Sequence, residues 1–175
     1  TIFVFLIVVN AINFIDGIDG LAISQVVKTI ILIELLSTNF TPLILLGGLT
    51  ICCLLPLYFF NFKKRGKIFL GDVGSLLLGT TVMVYLLFLL VPNYNLKPEF
   101  QINKVLVSIL VVLYPLLDLL RVFSLRMLKG ESPFKADQNH IHHRLLNYFK
   151  NHLKTLLAIV FLEIAILLIA EFLIN

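Results

Sequence analysis

Four side chains in the stretch NAINFIDGIDGLA recur every third position: Asn10, Asn13, Asp16 and Asp19. That spacing puts them on one face of a helix or of a tighter 3₁₀ turn. Gly17 and Gly20 let the backbone unwind there. Two carboxylates and two carboxamides make an oxygen-only donor set, which suits Mg²⁺ or Mn²⁺ better than zinc. A polar helix cap with Asp-Gly turns uses the same residue types but needs fewer of them. A second stretch, FLGDVGSLLLG, sets Asp72 between Gly71 and Gly74, with Ser75 opening an apolar run at 76. A helix N-terminus favours anions, and a carboxylate at that place repels a phosphate unless a cation bridges them. Asp72 therefore reads either as a metal ligand with phosphate beyond it or as a simple N-cap.

The third stretch, 116–146, holds Asp118 and Arg121 near the end of an apolar run, a loop over 129–139 enforced by Pro133, and then His140, His142, His143 and Arg144. Histidines with Arg and Lys form an anion cradle able to hold a nucleotide pyrophosphate. A zinc site competes weakly, because no Cys or spaced His/Glu partner completes a tetrahedral set. A solvated basic loop at anionic lipid head groups is the plainer alternative. It needs Lys and Arg, but not three histidines.

The elements that must position these residues follow from composition. Of 175 residues, 59% are hydrophobic and 14% charged, and the mean hydropathy is +1.02. This excludes a soluble globular domain and a disordered chain. It predicts an all-α, polytopic membrane bundle in a single domain over 1–175, without internal repeats. Spans are expected at 21–36, 43–60, 76–91, about 105–127 and 155–174, each near the 20 or so residues a crossing needs. These are about five full spans. Residues 1–9 are apolar but short, and with no initiator Met they read as the end of a helix whose start is cut away. Lys28 and Glu34 read as interior or snorkelling residues, His152 as a surface residue, and Cys52 and Cys53 as small core residues. Glu163 and Glu171 share nearly one face of the last span and suggest no function.

Alternating crossings put segments 10–20, 61–75 and 128–154 on one side. That side carries most of the fourteen Lys and Arg residues. The positive-inside rule makes it cytoplasmic. The net charge of +4 thus reports orientation and not nucleic-acid binding. All three polar stretches fall on this same side.

The ordered trio NAINFIDGIDGLA, FLGDVGSLLLG and SPFKADQNHIHHRL resembles the polyprenyl-phosphate N-acetylhexosamine-1-phosphate transferases over essentially the whole chain. The His-x-His-His form is similar to the branch that starts O-antigen, enterobacterial common antigen or teichoic-acid linkage lipids. The peptidoglycan branch, a phospho-MurNAc-pentapeptide transferase, typically carries three consecutive histidines. The resemblance implies a bacterial inner-membrane enzyme. It would transfer N-acetylhexosamine 1-phosphate, most often from UDP-GlcNAc, to undecaprenyl phosphate, with release of UMP. It implies Mg²⁺ (or Mn²⁺) on Asp72 with Asn13, organised by Asp16 and Asp19. His140, His142, His143 and Arg144 would grip the donor's pyrophosphate and sugar. Asn10, Asn13, Ser75, Arg121 and Arg144 are the candidate substrate contacts. The apolar helices would supply the groove for the isoprenoid tail, and a homodimer is compatible.

Two departures qualify the resemblance. Relatives carry an adjacent Asp pair on an earlier loop, which is absent here, so the chain reads as a C-terminal portion, lacking its N-terminal helices and inactive alone. Many also carry a basic residue where this chain has Gln138. Readings from other classes are a cation transporter using Asp16, Asp19, Asp72 and Asp118, an intramembrane protease, and a non-catalytic scaffold. A transporter wants its carboxylates near the midplane, and here most lie at one face.

Overall fold

The computed structural model describes residues 2–92, 94–132 and 140–174, and among these it contains helices and no strand. The helices are α1 (Ile2–Phe14), α2 (Leu21–Leu36), α3 (Ile44–Asn61), α4 (Gly71–Leu89), α5 (Lys104–Val111), α6 (Leu113–Leu128), α7 (Ile141–Phe149) and α8 (His152–Ile174). The all-α bundle expected from composition is the fold observed.

α1 lies against α4 and α6, and α2 packs on α4. The α1–α4 approach is close because of one glycine. A Cβ on Gly79 would come within 2.9 Å of the Val9 backbone. Small residues let helices meet in this way where lipid gives no hydrophobic drive to association. The buried interior includes Val8, Ile12, Leu21, Val82, Tyr85 and Leu89. Large apolar side chains such as Leu45, Phe59, Leu77, Phe161 and Phe172 point outward. That is the surface a helix presents to hydrocarbon rather than to water. Cys52 and Cys53 are exposed on α3, which corrects their reading as core residues.

Among the described residues, three helices are long and apolar enough to cross a membrane: α3, α4 and α8. α5 and α6 make a fourth if taken as one span bent by 66°. The expected span at 105–127 is thus broken at Val112, and Pro115 supplies the cause. It lacks an N–H, and its ring collides with the carbonyl four residues back, on Val111. The expected span at 21–36 is α2, with those boundaries, but its 16 residues extend only about 24 Å at 1.5 Å each. That is short of the roughly 30 Å hydrocarbon core. α4 begins five residues earlier than expected, at Gly71 rather than 76.

Two sets of contacts define the ends of the bundle. At one end, Gly20 N–H donates to Asn61 Oδ1 (2.6 Å), and Asn61 Nδ2 donates to Ile68 O (2.8 Å). Lys67 pairs there with Asp19 (2.5 Å). At the other end, Thr38 N–H donates to Asn95 O (3.2 Å), and Gln101 N–H donates to Glu171 Oε1 (2.9 Å). The three polar stretches all belong to the first end.

Between the ends lies a buried charge cluster. Glu163 Oε2 accepts from Gln25 Nε2 (2.6 Å) and pairs with Lys28 Nζ (2.8 Å), which also donates to Gln25 Oε1 (2.6 Å). Glu163 Oε1 accepts from Tyr114 N–H (3.2 Å), beside the break between α5 and α6. Lys28 is an interior residue, as expected. It does not reach for the interface, because its partner sits beside it on α8.

Candidate active site

The acidic half of the site is built where α1 stops. Asp16 N–H donates to Asn13 O (3.2 Å), an i→i+3 bond of the tighter turn the spacing allowed. Asn13 Nδ2 donates to Ser75 Oγ (2.7 Å), which joins the end of α1 to the first turns of α4. Ser75 Oγ in turn lies 3.1 Å from the carbonyls of Gly71 and Asp72. Ser75 is fully buried inside α4, where its hydroxyl holds the Asn13 side chain. Because the amide nitrogen of Asn13 is engaged by Ser75, the atom it offers the site is its carbonyl oxygen. Asn10 donates to Leu6 O of its own helix (2.7 Å).

Asp72 lies exposed in the first turn of α4. The carboxyl of Asp16 is pushed up to about 6, first by burial and then by the negative charges of Asp72 and Asp19. These three carboxylates therefore feel one another, and a cation among them would relieve the repulsion. Asp19 is held by Lys67 and by His152, whose Nδ1 lies 3.1 Å from Asp19 Oδ2. His152, expected at the surface, is thus part of the site's frame.

The histidine half is a helix and not a loop. Residues 133–139, with Lys135, Asp137 and Gln138, lie outside the described residues. His140 is the N-cap of α7, and His142, His143 and Arg144 form its first turn. Ile141, Leu145 and Leu146 pack against the core, while Arg144, Asn147 and Tyr148 are exposed. This amphipathic nine-residue helix was not expected, because the histidines were read as part of a loop.

The histidines are anchored by a residue whose role the sequence left open. Asp118, fully buried on α6, takes His140 Nδ1 at 2.8 Å and Ile141 N–H at 2.7 Å, and His142 Nδ1 lies 3.4 Å away. Tyr114 OH is 3.1 Å from His142 Nδ1. His142 is fully buried, and burial lowers its pKa below the ordinary histidine value. Among the described residues its Nε2 has no hydrogen-bond partner, and it faces Gly17. Arg121 is half-buried on α6, one turn beyond Asp118.

Gly17 is where the halves meet. A Cβ there would lie 2.9 Å from His142 Nε2 and 3.3 Å from His143 Nε2. Gly17→Ala should therefore displace a histidine that has no space to retreat into. The overpacking should destabilise the fold by about 1–3 kcal/mol. Thermal unfolding in detergent would measure this, and an unchanged midpoint would show that the turn and α7 do not touch.

A family model, glycosyl transferase family 4, matches residues 1–90. The chain belongs to this family. Among curated proteins, it is 31% identical to a probable undecaprenyl-phosphate N-acetylglucosaminyl 1-phosphate transferase of Bacillus subtilis (strain 168), over 87% of this chain and 41% of the relative. It is 34% identical to a decaprenyl-phosphate N-acetylglucosaminephosphotransferase of Mycobacterium leprae (strain TN), over 87% and 42%. It is 33% identical to an undecaprenyl-phosphate alpha-N-acetylglucosaminyl 1-phosphate transferase of Escherichia coli (strain K12), over 83% and 40%. The chain thus spans about two fifths of the length of these glycosyl transferase family 4 relatives. A comparison with solved structures gives no match.

Proposed function

We propose that the protein transfers N-acetylglucosamine 1-phosphate from UDP-GlcNAc to undecaprenyl phosphate, releasing UMP, at the membrane face that carries the three polar stretches. The observation that carries this reading is the meeting of the acidic turn and the histidine helix at Gly17. One half suits a divalent cation and the other suits an anion, so a metal-bound diphosphate fits between them. The names of the relatives support the sugar phosphate and the lipid acceptor. The basic residues Lys63, Lys64, Arg65 and Lys67 at this end support a cytoplasmic site in the bacterial inner membrane.

The donor set fits Mg²⁺: oxygen ligands from Asp72 and Asn13, with Asp16 beside them carrying a carboxyl raised by burial and then by its negative neighbours. When bound, the ion would neutralise charge on the diphosphate as the phosphoryl group transfers. Asp19, held by Lys67 and His152, keeps the turn in place. His142 and His143 border the diphosphate position, and exposed Arg144 lies one residue on for the phosphates or sugar. An apolar groove of about 490 Å³ between α2, α3 and α8, lined by residues including Leu54, Tyr58, Leu156 and Val160, is suited to an isoprenoid chain. The transporter reading has no such support: midway along the bundle, Glu163 is paired with Lys28.

The test is release of UMP from UDP-GlcNAc, with undecaprenyl phosphate and Mg²⁺, by the purified protein at the full length of its family relatives. Absence of release from every UDP-N-acetylhexosamine would refute the reading. The raised Asp16 carboxyl adds a pH dependence. Below about pH 6 it is protonated, and a neutral carboxyl attracts a cation less. Mg²⁺ affinity, measured by titration calorimetry, should fall as pH drops from 7 to 5.5.

A further inference from the structure

Asp118 lies at the centre of the histidine half without facing the Gly17 turn. Its two oxygens are both engaged: Oδ1 by Ile141 N–H, Oδ2 by His140 Nδ1 and, at longer range, His142 Nδ1. A carboxylate accepts and does not donate, so His140 must carry its proton on Nδ1. His142 Nδ1 sits between Asp118 Oδ2 and Tyr114 OH, two oxygens that can share one N–H. With Nδ1 fixed, the opposite ring nitrogen is turned away from α6. For His142 that nitrogen is the buried, unpartnered Nε2 against Gly17. The His140 and His142 rings stack at 5.1 Å and 17°, so the two imidazoles are oriented together.

We propose that Asp118, assisted by Tyr114, is a positioning residue. It holds His140 and His142 as Nδ1–H tautomers and turns the Nε2 edge of His142 toward the donor diphosphate beside Gly17. A carboxylate behind a functional imidazole fixes tautomer and ring orientation in this way, and losing it typically costs 10–100-fold. Asp118, His140 and His142 also place three donor atoms within 4.8 Å of one another, a spacing compatible with a metal ion. The 2.8 Å separation of His140 Nδ1 from Asp118 Oδ2 is a hydrogen-bond length, and Ile141 N–H on the same carboxylate favours the tautomer role.

The catalytic consequence rests on the transferase reading, and the tautomers do not. In ¹⁵N-histidine NMR of the purified full chain, His140 and His142 should show as Nδ1–H tautomers, and Asp118→Asn should move at least one to Nε2–H or to a mixture. In turnover, Asp118→Asn should lower kcat about a hundredfold at nearly constant KM for the UDP-sugar, and Tyr114→Phe about tenfold. In a His140→Ala/His142→Ala background, Asp118→Asn should cost nothing further. Multiplying losses in that background, unchanged tautomers, or a stoichiometric metal that leaves with Asp118→Asn would each overturn the proposal. If the wild-type chain transfers no sugar phosphate, the functional reading falls and the NMR result decides this one. If Asp118→Asn fails to fold, Tyr114→Phe tests His142 by both measurements, since it removes one oxygen and keeps the ring.

Discussion

Asp72→Asn in the full chain is expected to reduce Mg²⁺-dependent UMP release by about a thousandfold or more, the scale set by losing a main charge-stabilising group in phosphoryl transfer. The argument starts from where α4 begins. Asp72 stands in the first turn of that helix, exposed, facing the same space as Asp16. A helix N-terminus attracts phosphate by itself. A carboxylate placed there takes up the helix's positive end itself and repels a phosphate unless a cation lies between. Asn keeps the size and removes the charge, so the helix should form unchanged while the ion is lost. Two controls sharpen the result. The thermal midpoint of the variant without metal should match wild type, because the side chain is exposed. Raising Mg²⁺ should recover part of the activity if weakened ion binding is the cause. Undiminished turnover would remove Asp72 from the metal site.

The second large effect concerns stability. Glu163→Gln should destabilise the bundle by about 3–5 kcal/mol, the cost of leaving a buried charge without its partner. Lys28 and Glu163 side chains are only 5% and 4% exposed, so water cannot replace the lost carboxylate. Gln can still accept from Tyr114 N–H, which isolates the charge from the hydrogen bond. The double variant Lys28→Met/Glu163→Gln should recover most of the loss, since removing both charges also removes their desolvation cost. Reversible unfolding in mixed micelles would measure both. A single variant as stable as wild type would show that Lys28 does not depend on Glu163 for its charge.

Much of the acidic half was legible in the sequence. The three-residue spacing of Asn13, Asp16 and Asp19, with glycines between, encodes a local turn, and local turns follow from local residues. The limits of α2 at 21 and 36 were legible for the same reason. Pro115 was visible too, but its effect depends on whether the following helix tolerates proline in its first turn, and it does. The histidine half was harder. α7 owes its existence to the burial of Ile141, Leu145 and Leu146, which only the assembled core provides. The pairing of Asp118 with His140 joins residues 22 apart on different helices, and no periodicity reports that. His152 is at the surface, as expected, with its side chain 40% exposed, but its contact with Asp19 was not legible because Asp19 lies 133 residues earlier. Asp118 did leave one signal: a carboxylate inside an apolar run is expensive and asks for a partner.

Gln25 and Glu163 are separated by 138 residues of chain. During synthesis at about 5–20 residues per second, α2 therefore waits on the order of ten seconds or more before α8 exists. Over that interval Lys28 lacks its carboxylate, and a charged residue near the middle of a span costs about 2.5–3.5 kcal/mol on insertion scales. α2 is also short for a crossing. Its stable placement in the bilayer thus depends on α8, which is made much later. Termination before α8 should leave the motif residues of both halves synthesised but α2 poorly retained in the membrane, and such a product presents an unpaired lysine to the proteases that clear unassembled membrane proteins. The pair acts as an assembly signal, satisfied only when α8 has docked against α2.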